Sequence, residues 1–273
     1  MKVKLKVNQS RATKKMQPLL AFQNSNIRYL FTDIDDTVTD QGQLHADAYQ
    51  ALWTLHELGV MVVPVTGRPA GWCEMIARFW PVGGIVGENG AFYFRYVDKK
   101  MRRHFVVDEV TRLQNRVKLD KLAIEVLQKV KGSAIASDQF SRLMDVAIDF
   151  CEDVIPLPKA KVQKIVSLFE EAGATAKVSS IHVNAWFGQY DKLSMCKIFA
   201  KEELGLDLES NQNKFAFSGD SPNDEPMFGF FENSFAVSNI KNFESELKHK
   251  PAYVADDEGG KGFVQIAKAI LKR

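Results

Sequence analysis

Short apolar runs alternate with amphipathic stretches along the first hundred residues, and this alternation constrains the fold more than any other feature of the chain. Tyr29-Leu30-Phe31-Thr32 is an apolar run that ends in acids, which reads as a buried strand feeding a loop. Residues 46–58 carry Tyr49, Leu52, Trp53 and Leu55 at helical spacing, and Gly59 stops them. Residues 60–65 make a second buried strand. Pro69 stands where a helix begins, and Trp72, Met75, Ile76 and Phe79 give that helix its expected apolar face. Residues 84–86 and 91–96 read as further strands. Strand and helix in turn predict a parallel sheet covered by helices.

The pattern changes after Asp98. One helical stripe runs through Leu119, Leu122, Ala123, Val126, Leu127 and Val130 to Gly132, and another through Val162, Ile165, Val166 and Phe169 to Gly173. Two segments alternate with period two: Met144, Val146, Ile148 and Phe150 against Asp145, Ala147 and Asp149, then Ile181, Val183, Ala185 and Phe187 against His182, Asn184 and Trp186. Helices on one face of such a sheet make an α+β module, whose bare face should point at the rest of the protein. From Asp191 the first pattern resumes, with a helix at 191–204, strands at 214–218, 234–237 and 253–255, and a closing helix at 262–271. The simplest organisation is an α/β core, residues 27–97 and 190–273, interrupted by an inserted α+β domain, residues 98–189, and preceded by a basic extension, residues 1–26.

The 273 residues are 45% hydrophobic and 26% charged, which describes a globular chain and excludes wholesale disorder. The net charge of +2 implies no polyanionic partner. The start of the chain carries Lys2, Lys4, Lys6, Arg11, Lys14 and Lys15 without an acid, and Val3, Leu5 and Val7 alternate with the lysines. It reads as an anion-binding arm, a solvated tail or a short added strand. Cys73, Cys151 and Cys196 are scattered and form no CxxC, so neither a disulfide framework nor a zinc site is expected, and a reducing, cytoplasmic compartment is. No apolar run reaches the ~18 residues of a membrane helix, and no membrane partner is expected.

Chemistry concentrates at strand ends. Asp33-Ile34-Asp35-Asp36-Thr37 follows the first strand. Carboxylates at i and i+2 can face one site, and there they repel unless one takes a proton or a cation joins them. Ligand sites of α/β sheets lie at such carboxyl ends. Phe217-Ser218-Gly219-Asp220-Ser221-Pro222-Asn223-Asp224 again sets acids after a strand, with more acid than a capping turn needs. Val65-Thr66-Gly67-Arg68-Pro69 puts a hydroxyl beside a helix N-terminus, either a phosphate-binding turn or an ordinary cap. Lys192 opens a helix behind Asp191, and taken alone is a solvated charge. His182 and Asn184, on the polar face of their strand, either read a substrate or cover the sheet edge beside Trp186.

In their order along the chain these segments resemble the four motifs of the haloacid dehalogenase superfamily of phosphatases. Asp33-x-Asp35-x-Thr37 looks like the first, Thr66-Gly67-Arg68 the second, Lys192 the third, with Lys197 its rival, and Gly219-Asp220-x-x-Asn223-Asp224 the fourth. The inserted domain falls where the Cof-type members, among them sucrose-phosphate phosphatase-like enzymes, carry an α/β cap, and Gly87-Glu88-Asn89-Gly90 resembles a segment they have after the third core strand. Asp36 stands where many relatives have glycine. The resemblance covers residues 27–273. It implies a Rossmann-like core with a cap and a Mg2+-dependent phosphomonoesterase acting on a small phosphorylated metabolite, most of all a sugar phosphate. It implies Asp33 as nucleophile, Asp35 as acid and base, and Thr66 and Lys192 as phosphoryl holders. Mg2+ would be bound by Asp33, Asp35 through its backbone carbonyl, Asp220 and Asp224. Substrate contacts would come from Gly67, Arg68, Glu88, Asn89, His182, Asn184 and Asn223, with Arg142, Asp145 and Asp149 as further candidates. The other readings are a phosphomannomutase-like phosphomutase, a catalytically silent binding protein, and a nucleic-acid end-processing phosphatase. The inserted domain lacks the interleaved aromatic and basic residues that the last needs, and no nucleic-acid partner is expected. A monomer or homodimer is expected.

Overall fold

The computed structural model describes residues 15–179 and 181–272. The lysines and arginine of the basic start other than Lys15 lie outside the described residues.

A six-stranded, all-parallel sheet forms the centre. Its members are β1 (Gln17–Pro18), β2 (Tyr29–Thr32) and β3 (Met61–Pro64) from the first part of the chain, and β11 (Phe215–Gly219), β12 (Asn233–Ala236) and β13 (Tyr253–Val254) from the last. The spatial order is β1-β13-β12-β11-β2-β3. Apart from the exposed edge strand β1, the strands are largely buried on both faces, as a helix-covered parallel sheet requires. Leu30, Val62, Ala216 and Phe235 pack under α1 (Ala46–Glu57) and α7 (Gly259–Leu271). Phe31, Val63 and Phe217 face the opposite way, under α5 (Lys192–Leu204) and α6 (Glu225–Phe230).

The strands expected near residues 84 and 91 exist as β4 (Ile85–Gly87) and β5 (Phe92–Val97), but β5 does not run parallel. It folds back on β4 and continues through a tight turn into β6 (Lys100–Phe105), a polar strand with no alternation to betray it. A single bridge, Val65 to Val86, joins this three-stranded sheet to the central one.

The helix α2 (Ala70–Phe79) forms as expected, but rotated from its expected face. Cys73, Ile76 and Ala77 are buried, while Trp72, Met75 and Phe79 are exposed. Small side chains let the helix lie close to β4 and β5, so the bulky residues that dominated the sequence pattern are turned outward.

A separate antiparallel sheet is built from β7 (Ala134–Ile135), β8 (Val146–Asp149), β9 (Thr175–Val178) and β10 (His182–Trp186), in the order β7-β8-β10-β9. The helices α3 (Glu109–Lys129) and α4 (Lys159–Glu171) cover one face through Leu119, Ala123, Val126, Ile165 and Phe169, against Val146, Ile148, Val183 and Ala185. The other face carries Asp149, His182, Asn184 and Trp186. Among the described residues no helix is long and apolar enough to cross a membrane.

Candidate active site

The parallel pairing of β2 with β11 puts Thr32 beside Ser218, so the acids that follow the two strands emerge side by side although 187 positions separate Asp33 from Asp220. Two contacts lock this register: the Asp33 amide donates to the Ser218 carbonyl at 2.8 Å, and the Ser218 hydroxyl to the Thr32 hydroxyl at 2.7 Å. The short 3-10 turn after β11 swings Asp224 back until its carboxylate accepts the Asp220 amide at 3.1 Å. A Cβ on Gly219 would stand 2.3 Å from that carboxylate, so only glycine allows the approach.

Lys192 completes the cluster. Its ammonium donates to Asp33 Oδ1 at 2.6 Å and to Asp224 Oδ1 at 3.0 Å. The lysine is the first residue of α5, held by a capping box in which the Asp191 carboxylate accepts the Ser194 amide at 2.7 Å. Lys197, its rival in the sequence, pairs instead with Glu209 on the surface. Gly90, at φ +100°, packs so closely on the Asp191 carbonyl that a Cβ there would lie 2.0 Å from the oxygen, which fixes the start of α5 against the turn after β4.

The electrostatics record an excess of negative charge. Burial, with Asp224 and Asp35, pushes the Asp33 carboxyl up to about 7, against the downward pull of Lys192. Burial, Asp224 and Asp33 raise Asp220 as well. Lys192 stays protonated because the charges of Asp224 and Asp33 outweigh its burial. One ammonium among three buried carboxylates leaves the cluster short of positive charge. Oxygen atoms of Asp33, Asp220 and Asp224 all lie within 4.8 Å of one another, a set that suits a hard divalent cation. The Asp35 side chain is not part of it. Both its oxygens accept from Arg68, at 2.8 to 3.1 Å, and the Arg68 guanidinium also lies over the Trp72 ring.

A cleft of about 650 Å3 opens between this cluster and the bare face of the four-stranded sheet. Gly67, Arg68, Asn89, His182, Asn184 and Asn223 line it, as the sequence led us to expect. His182 Nε2 lies 2.8 Å from Glu152, and Asn184 donates to Asp145 at 3.1 Å. Arg142 also lines it, doubly bonded to Asp138 and reaching Asp145 and the Gly67 carbonyl. Asp145 and Asp149 are buried and serve the cap's own network, Asp149 accepting from the amides of Cys151, Glu152 and Asp153.

Two expected site residues are placed elsewhere. Thr66 is fully buried outside the lining of the cleft, its hydroxyl accepting the Arg68 amide at 3.0 Å as in an ordinary capping turn. Glu88 is fully buried and touches no substrate space. Its carboxylate accepts the amide of Ala70 at the start of α2 and those of Leu143, Met144 and Asp145 in the segment leading to β8, at 2.6 to 3.0 Å from the first three and 3.1 Å from the last. It ties the two sheets together. Burial and Asp145 push its carboxyl up to about 7, against the pull of the Leu143 amide and of Arg142. Sequence reasoning passed over Lys177, which also lines the cleft from β9.

The sequence model of the haloacid dehalogenase-like hydrolases matches residues 30–132. No curated protein matches the chain. Solved structures share its fold. A Thermoplasma acidophilum protein superimposes with a TM-score of 0.69 at 20% identity, over 89% of this chain and 98% of that one. A haloacid dehalogenase-like hydrolase from Bacteroides thetaiotaomicron gives 0.65 at 15% identity, over 89% and 99%. A sugar phosphatase of subclass IIB gives 0.59 at 15% identity, over 88% and 98%. Over residues 30–132 the chain is thus similar in sequence to the haloacid dehalogenase-like hydrolases, and it shares the fold of these structures over nearly nine-tenths of its length.

Proposed function

We propose that the protein is a Mg2+-dependent phosphomonoesterase acting on a small phosphorylated metabolite, with a sugar phosphate as the first class to try. The observation that carries this reading is the contact of Lys192 with Asp33 and Asp224 at the ends of paired parallel strands, facing a cleft of small-molecule size. Likeness to a sugar phosphatase of subclass IIB supports it at the level of fold.

Asp33 is the nucleophile. Its carboxylate oxygen attacks phosphorus in line with the ester oxygen, the bond from phosphorus to that oxygen breaks, and an aspartyl phosphate forms. Asp35 gives its proton to the departing oxygen and then takes one from the water that attacks phosphorus and releases Asp33. Both Asp35 oxygens accept from Arg68 in the present arrangement, so Arg68 must release the carboxyl before it can donate. Lys192 holds Asp33 in place and offsets charge on the phosphoryl oxygens. Asp33, Asp220 and Asp224 would hold Mg2+, which supplies further charge neutralisation.

Phosphate release from a panel of sugar phosphates and p-nitrophenyl phosphate tests the reading. Release that requires Mg2+ and is abolished in Asp33→Asn is the expected result. Release that persists in Asp33→Asn would remove the nucleophile, and no release on any compound would favour a silent binding protein or a mutase.

Asp33 and Asp220 hold protons more tightly in the fold than a free carboxyl does at about 4. Their contribution to stability is therefore greatest in acid and falls as pH rises toward about 7, with the folded protein binding more protons than the unfolded one across that range. Mg2+ must displace those protons. It should raise the unfolding temperature more at pH 8 than at pH 5, relative to EDTA. A shift of equal size at the two pH values would show that these carboxylates are not its ligands.

A further inference from the structure

The cleft has two unlike walls. Asp33, Asp35, Asp36 and Asp220 line the core side. The ionisable groups of the cap side are Arg142, Lys177 and His182, and no cap carboxylate lines it. Nearly every cation of the cleft is already engaged: Lys192 by Asp33 and Asp224, Arg68 by Asp35, and Arg142 by Asp138 and Asp145, while burial and Arg142 lower the pKa of His182 and favour its neutral form. Lys177 is the exception. Among the described residues its ammonium has no carboxylate within ion-pair distance and no hydrogen-bond acceptor.

The backbone aims this lysine at the cleft. Lys177 pairs with Asn184 across β9 and β10, and directly paired residues share a face of a sheet, here the face without helices. Its side chain also borders a recess beside Pro222, Asn223, Pro226 and His249, so it stands where the cleft widens. Burial and the nearby charge of Lys192 lower its pKa, and the attraction of Asp191 and Asp224, neither of which pairs with it directly, does not make up the difference. An ammonium withdrawn from water without a directly hydrogen-bonded counter-charge is a cost in the free protein. A bound anion removes that cost through a charge-assisted hydrogen bond. The transferring phosphoryl group already has Lys192 at Asp33, so the free lysine answers to something else on the substrate.

We propose that Lys177 receives a second anionic group, a carboxylate or phosphate on the leaving group, so that the preferred substrates are phosphate monoesters of acidic metabolites. This rests on the phosphatase reading above.

Matched ligands test it. Glucose 6-phosphate against 6-phosphogluconate adds a carboxylate, and glucose 1-phosphate against glucose 1,6-bisphosphate adds a phosphate. Calorimetry in Mg2+ on Asp33→Asn protein, which cannot turn them over, gives the affinity ratio within each pair. The acidic member of at least one pair should bind at least tenfold tighter. That ratio should fall to within threefold when Lys177→Met is added and persist with Lys177→Arg. The pair with the larger ratio identifies carboxylate or phosphate. Ratios near one with the lysine present, ratios that survive Lys177→Met, or no measurable binding of either acidic compound would overturn the proposal. Turnover of p-nitrophenyl phosphate by the unaltered enzyme runs alongside. Its absence with the binding ratios intact would mean that the phosphatase reading has failed while the anion site stands.

Discussion

Lys192→Met is expected to lower phosphate release at least about a thousandfold and to destabilise the protein at neutral pH by about 3–5 kcal/mol. Methionine keeps most of the side chain's length and removes the ammonium that lies 2.6 Å from Asp33 and 3.0 Å from Asp224. Three buried carboxylates then face one another without a compensating charge. They relieve the repulsion by taking protons, which is easier in acid. The destabilisation should therefore shrink between pH 8 and pH 5, and Mg2+ should offset part of it at pH 8. Urea unfolding of both proteins at the two pH values measures this. A destabilisation that does not change with pH would mean that Lys192 contributes packing rather than charge.

The second large effect is expected at Glu88, which does not line the cleft. Glutamine keeps the shape but turns an amide NH2 toward backbone N–H groups that now meet a carboxylate oxygen. We expect a loss of about 2–5 kcal/mol. The position also carries strain that its hydrogen bonds offset. Glu88 and Asn89 both adopt left-handed backbone angles, φ +41° and +59°, which cost non-glycine residues about 1–3 kcal/mol each. The segment from Leu143 to Asp145 leads into β8, and its Asp145 holds Asn184 and Arg142, so loosening it should raise KM for ligands that reach the cap. Hydrogen exchange gives the direct reading: the amides of Leu143, Met144 and Asp145 should lose protection in Glu88→Gln. Unchanged exchange there would show that the carboxylate does not clasp the cap.

The sequence reading succeeded where local pattern and chain order carry the information. Buried strands that end in acids located Asp33 and Asp220, because a parallel sheet brings such ends together whatever the separation along the chain. Period-two alternation placed His182 and Asn184 opposite Val183 and Ala185, and they do face the cleft. It failed where partners are backbone groups or where small residues do the packing. Nothing in Leu143-Met144-Asp145 announces three amides turned toward a distant glutamate, so Glu88 looked like a substrate contact. Trp72, Met75 and Phe79 outweighed Cys73 and Ala77 in the pattern of α2, although close approach to a sheet favours the smaller set. Lys177 sits in a strand with no strong alternation, and only its pairing with Asn184 reveals which way it points.

The contact between Gly90 and the Asp191 carbonyl has a consequence for how such a protein can change. About a hundred residues lie between them in sequence, yet the two ends of that stretch are pressed together. The position of Lys192 is set by this junction and by the cap of its own helix, and owes nothing to the contour of the chain in between. Closing a longer or shorter loop costs little extra free energy, since the entropy grows only with the logarithm of its length. An insert of another size or architecture could thus be carried on the same two ends with the lysine still on its aspartates. The scaffold separates the part that fixes the chemistry from the part that meets the leaving group, and leaves the second free to be exchanged.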